Sequence, residues 1–143
     1  MIRVQTDRTQ LKRMVGGNLR KFRNLKPPFR GVAYFMRDDV LERSQSQTDP
    51  EGNRWAALAP STIAKKKRMG YPMTILTATG DMWRSLRVVF TDKFAEITIT
   101  VPYSIFHQKG TSKMPQRKIL GINKKILDYA AKNIRGYIRG RGR

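Results

Sequence analysis

The sequence predicts an α+β fold, a small antiparallel β-sheet built on a central hairpin and packed with N-terminal, middle and C-terminal helices. Three observations carry this. Residues 86–101 alternate apolar and polar side chains with a period of two, on both sides of a short turn. Residues 29–46 and 123–138 repeat apolar side chains every three to four positions instead. Finally, 143 residues with 39% hydrophobic content suit one modest core and not a disordered chain.

Taking the elements in order, Leu11, Val15, Leu19, Phe22 and Leu25 predict a basic helix over 9–26, which Gly16-Gly17 weakens and Pro27-Pro28 stops. Residues 1–28 are therefore expected to be a basic N-terminal helical arm. A second helix over Phe29–Ser46 presents Val32, Phe35, Met36 and Val40 on one face, with Pro28 near its first turn. Residues 47–61 form a loop rich in Asp, Pro, Gly and Asn. Ser61-Thr62 is a candidate cap for a short basic helix that ends at Gly70-Tyr71-Pro72. A helical turn around Asp81–Leu86 precedes the hairpin. There Leu86, Val88 and Phe90 pair across Thr91-Asp92-Lys93 with Ala95, Ile97, Ile99 and Val101. Such a ribbon is marginal alone and needs a helix, a third strand or a neighbouring subunit to cover it. Tyr103–Gly110 is a short helical or turn segment, and 113–120 is extended around Met114-Pro115. A last helix spans Asn123–Ile138, and 139–143 is expected to be a disordered Arg-Gly tail.

Charge narrows the functional classes. Thirty Lys and Arg against ten Asp and Glu leave a formal +20. Residues 1–30 carry nine basic groups and one acid, 110–143 carry ten and one, whereas 31–60 carry three and five. Basic ends of this kind favour polyanions through counterion release. Lys65, Lys66, Lys67 and Arg68, together with Arg139, Arg141 and Arg143, are the candidate contacts with DNA or with acidic protein surfaces. No recognition helix, zinc-finger spacing or aromatic platform accompanies them. No run approaches the roughly 20 apolar residues of a membrane helix. The first residues lack the apolar stretch of a secretory signal, so a chain made in a cytoplasm and used whole is expected. Cysteine is absent, which excludes disulfides and thiolate metal sites.

Catalytic chemistry has little to stand on. The single histidine, His107, lies between Tyr103, Phe106 and Gln108 with no carboxylate near it in sequence, which suits packing or hydrogen bonding better than base catalysis. Asp38, Asp39 and Glu42 are the one acidic cluster, and pairing with arginine, Arg43 or a neighbour, is the expected use. Trp55 and Trp83 are expected in the core. No catalytic residue, metal or cofactor is implied.

Three separated stretches then carry a resemblance. Pro50-Glu51-Gly52-Asn53-Arg54-Trp55-Ala56-Ala57-Leu58 runs on to Thr62. Leu76-Thr77-Ala78-Thr79-Gly80-Asp81-Met82 runs on to Ser85. Tyr103 is followed by His107-Gln108-Lys109-Gly110, then by Pro115-Gln116-Arg117-Lys118-Ile119-Leu120-Gly121. Spaced and ordered in this way over roughly 29–138, they resemble the phage virion morphogenesis family of neck and tail-completion proteins. Ser104 stands at the usual small position after the tyrosine, and Lys109 replaces an aromatic common before the glycine. The resemblance implies a non-enzymatic virion protein that forms a homo-oligomeric ring, on the order of six or twelve copies, at the neck or tail end. Its partners would be further copies, other neck, connector and tail proteins, and genomic DNA in the channel; no membrane is involved. It also assigns structural roles. Trp55, Leu58 and Thr62 would anchor their loop onto the sheet. Tyr103, His107 and Gln108 would fix the turn after the hairpin, and Pro115 and Arg117 the segment entering the last helix. Gly52, Leu76, Gly80, Ser85 and Gly110 complete the motif positions. The rival reading is a stand-alone basic nucleic-acid-binding protein; a cell-wall hydrolase would need Asp38, Asp39 and Glu42 to act.

Overall fold

A computed structural model describes residues 1–15 and 24–141, and it is α+β. Strands β1 (Ile2–Asp7), β2 (Leu86–Phe90) and β3 (Phe94–Ile99) form one antiparallel sheet in the order β1-β3-β2. The helices among the described residues are α1 (Arg8–Val15), α2 (Lys26–Ser46), α3 (Pro60–Met69), α4 (Asp81–Arg84), α5 (Ser104–Lys109) and α6 (Lys124–Arg141).

Register explains the core. On the central strand Ile99 lies between Ile2 and Leu86, Ile97 between Val4 and Val88, and Ala95 between Thr6 and Phe90. These rows share one sheet face, and α2 packs across β2 and β3. From α2, Phe29, Val32, Met36 and Val40 are buried at the spacing of one helix stripe. Each such side chain contributes about 1.5–3 kcal/mol by leaving water. The Thr6 hydroxyl, buried among them, donates to the Met36 sulfur at 3.7 Å. Behind α2 lies α6, with Ile126, Ala130 and Ile134 buried. There Phe35 and Tyr129 stack with centroids 4.0 Å apart, and α1 packs on α6. The opposite sheet face is polar, with Arg3, Thr98 and Arg87 in one row.

Several expectations change. Residues 2–7 are not part of a helical arm. They form an edge strand, because Ile2, Val4 and Thr6 face the core while Arg3 and Gln5 face solvent. Leu11 and Leu25 are fully buried, so the chain on either side of 16–23 belongs to the same core. The rest of the predicted 9–26 helix, with Leu19 and Phe22, lies outside the described residues. The hairpin's third strand comes from its own chain and its cover from α2, so the β-ribbon does not require a neighbouring copy. The outer edges of β1 and β2 have no strand beside them among the described residues. Helix α3 is capped not by Ser61-Thr62 but by the extended backbone of Ala59, with Pro60 in the first turn, where a missing N–H costs nothing. The C-terminal helix runs on to Arg141, so residues 139–141 are helical.

Candidate functional site

The three motif stretches come together around a cavity of about 460 Å³. One wall is the loop before α3 and its first turns, with Leu58, Thr62 and Lys66. A second is the turn leading into α4, with Leu76, Gly80 and Met82. The third comes from either side of α5, with Tyr103, His107, Pro115 and Arg117. Residues 57–66, 76–82, 103–107 and 113–117 thus contribute, four separated segments of the chain.

Lys66 holds the second wall. Its ammonium donates to the carbonyls of Pro72, Thr74 and Thr77 at 2.8, 2.7 and 2.6 Å. Charge-assisted bonds of this kind are about twice as strong as neutral ones. They fix a loop in which Leu76 adopts a left-handed backbone, φ 59°, a geometry costing on the order of 1 kcal/mol for a side chain with a Cβ. Burial pushes the Lys66 pKa below its ordinary value. Lys66 is therefore not available as a contact for DNA or a partner; its charge is consumed inside the fold. Lys65, Lys67 and Arg68 on the same helix are exposed.

The third wall is clamped by side chains that bond backbone. Gln108 accepts from the N–H groups of Ile119 and Leu120 at 2.8 and 3.0 Å. Its amide donates to the Leu120 carbonyl at 2.8 Å. Arg117 is buried and donates to the carbonyls of Ala56 and Ala57, both at 2.9 Å, while its own N–H bonds the His107 carbonyl at 2.8 Å. Burial lowers its pKa. Trp55 donates to the Lys118 carbonyl at 2.9 Å and stacks on Trp83. The loop carrying Trp55 and Leu58 is thus fastened to the 117–118 segment. Gly110, at φ 74°, closes the α5 turn so tightly that a Cβ there would lie 2.9 Å from the Gln116 nitrogen. Pro115 stands exposed on the same segment.

Other motif positions serve the frame. Gly80 opens α4 at φ 83°. Ser85 donates to the Met82 carbonyl and accepts from Thr100 N–H, tying α4 to the sheet. Gly52 sits in an exposed turn, its N–H bonded to the Asp49 carbonyl. His107 meets Tyr103 edge to face, with centroids 6.3 Å apart. Its Nδ1 is buried without a hydrogen-bond partner. Its pKa is lowered by burial and by the nearby Arg117 charge. A neutral imidazole with no carboxylate partner has no group to orient it as a base.

The acidic cluster is used by ion pairs. Asp39 is buried against Arg43 at 2.9 Å, with Asn123 beside it. Asp38 pairs with Arg37, and Glu42 with Lys125. Among the described residues no three acidic or histidine side chains are grouped to hold a metal, and no helix is long and apolar enough to cross a membrane. At the C-terminus Arg139 is exposed, whereas the side chain of Arg141 and all of Arg143 lie outside what is described. Sequence reasoning missed Lys113, Met114 and Thr77 as cavity residues. Thr77 could not have been singled out, because its role is to accept from Trp83 Nε1 at 3.0 Å, a contact set by the folded loop.

Among known proteins, the family model for the phage virion morphogenesis family matches residues 6–139. The chain is also similar to the Mu-like prophage FluMu G protein 1 of Haemophilus influenzae, at 30% identity over 97 residues, 66% of each chain. That is just under two thirds of the relative's length. No solved structure is significantly similar.

Proposed function

As the chain belongs to the phage virion morphogenesis family, we propose that it is a structural protein of the virion that forms a ring in the neck or tail end, around the DNA channel, joining tail to head. The relative, a G protein of a Mu-like prophage, is consistent with that setting.

One observation carries the reading beyond family membership. Every carboxylate side chain in the chain already has an internal partner. Asp7 caps α1 through the N–H groups of Thr9 and Gln10, Asp49 accepts from Asn53, and Glu96 accepts from Thr98. Asp38, Asp39, Glu42, Glu51, Asp81, Asp92 and Asp128 are ion-paired. Part of the formal excess of +20 is therefore left for other molecules. On α1 and α6, which pack together, Lys12, Arg13, Lys132 and Arg139 are exposed and have no ion-pair partner among the described residues. A ring that turns this face to the channel neutralises its own repulsion on the phosphates, and repeated copies multiply weak contacts into a durable joint.

Deleting the gene from the phage tests the role. The expected result is an accumulation of filled heads and separate tails, reversed by supplying the wild-type chain in trans. Normally joined particles from the deletion would overturn it. A purified chain that stays monomeric and binds duplex DNA with steep salt dependence, in particles that join normally, would favour the stand-alone nucleic-acid binder.

A further inference from the structure

We propose that the 460 Å³ cavity is a docking socket for another protein of the virion, receiving a bulky apolar side chain from a segment rich in Asp and Glu. The inference rests on the structural virion role and names the partner chemistry of this site.

Four observations point there. The socket is preformed, since Lys66 and Arg117 on its lining and Gln108 behind it bond backbone carbonyls of the surrounding loops. Its volume lies in the range of built binding sites. Leu58, Leu76, Met82 and Met114 line it. Aromatic surface is exposed at the start and middle of α5, where Tyr103 is 44% and Phe106 53% exposed. Aromatic side chains at such sites are typical anchors of protein interfaces.

The charge selects the occupant. The elements that build the walls carry exposed Lys65, Lys67, Arg68, Lys109 and Lys113, none with an ion-pair partner among the described residues. Lys113 itself lines the cavity. The one carboxylate on the lining, Asp81, is already bonded to Thr79 and Arg84. A second copy of this chain is a poor occupant, because its own carboxylates are all engaged. Duplex DNA matches the charge but keeps its base faces stacked and projects no bulky apolar group that could enter a concave pocket. An acidic protein segment with an apolar anchor satisfies both the rim and the interior.

The test is photo-crosslinking inside assembled particles. A benzoylphenylalanine is placed at Ala78, an exposed cavity-wall residue, or at Ala57 if the first variant fails to accumulate. A control carries it at Gln45 on the exposed side of α2. The variants complement the gene deletion, and crosslinked peptides are identified by mass spectrometry. The expected product joins the cavity wall to a different virion polypeptide, at a bulky apolar residue flanked by at least two carboxylates, and is absent from the Gln45 control. Lys113→Glu should lower its yield at least about fivefold, and Lys113→Arg should leave it unchanged. Crosslinks to a second copy, to DNA or to a segment without carboxylates would overturn the socket, as would no crosslink from a chain present in the particle. Absence of the chain from the particle would overturn the virion role, and this inference with it.

Discussion

Two halves of the molecule hold themselves together by different physics. In the first, α2 lies between the sheet and α6, and its stability comes from buried apolar area in regular elements. In the second, residues 47–81 and 103–120 have little regular structure, and buried polar side chains fasten one loop to another. Phe29, Val32 and Met36 belong to the first half; Lys66, Gln108 and Arg117 belong to the second. The helix-on-sheet half supplies a rigid platform, and the clamped half supplies a shaped surface. Hydrophobic cores tolerate exchange among residues of similar size. A clamp made of hydrogen bonds to particular carbonyls does not, and this is why the motif residues gather there.

Four substitutions break or sharpen that contrast. The largest effect is expected for Phe29→Ala, which leaves a cavity under the sheet and should cost about 3–5 kcal/mol. In urea unfolding it should lower the stability of the whole chain in a single transition. Lys66→Met leaves three carbonyls without their donor and should cost about 1–3 kcal/mol. Here hydrogen exchange should rise in residues 72–77 while the α2 and α6 amides keep their protection; equal loss in both halves would erase the distinction. Gly110→Ala meets both a left-handed backbone and the Gln116 nitrogen, and a drop of about 1–3 kcal/mol is expected, read as a lowered Tm. The smallest effect is a pH slope. The folded-state pKa of His107 is held below its ordinary 6.5, so the unfolded chain takes up the proton first. Stability from this group is full above 6.5 and is lost as pH falls through the folded-state value. His107→Gln should flatten that part of the stability profile while leaving the neutral-pH end in place.

How much of this was written in the sequence follows the same division. Helix α2 and the 86–99 hairpin were legible because their burial is periodic, and so was most of α6. Strand β1 carried a signal of the same kind, Ile2, Val4 and Thr6 alternating with Arg3, Gln5 and Asp7. The basic helical pattern that follows masks it, and its third member, a threonine, gives no hint in sequence that it is fully buried. In the clamped half, the positions that matter were legible only as a spaced motif. Their partners are carbonyls, and a carbonyl looks the same at every residue. Lys66 shows the consequence: within a run of four cations nothing distinguishes the one that turns inward to bind Pro72, Thr74 and Thr77.

The most direct measurement is a cryo-EM map of the intact neck of the virion. The proposed role predicts a closed ring of this chain between head and tail, with α1 and α6 turned toward the genome and density from an acidic neighbour seated beside Tyr103. A map with no copies at that junction, or with the chain as a lone subunit away from DNA, would contradict the account.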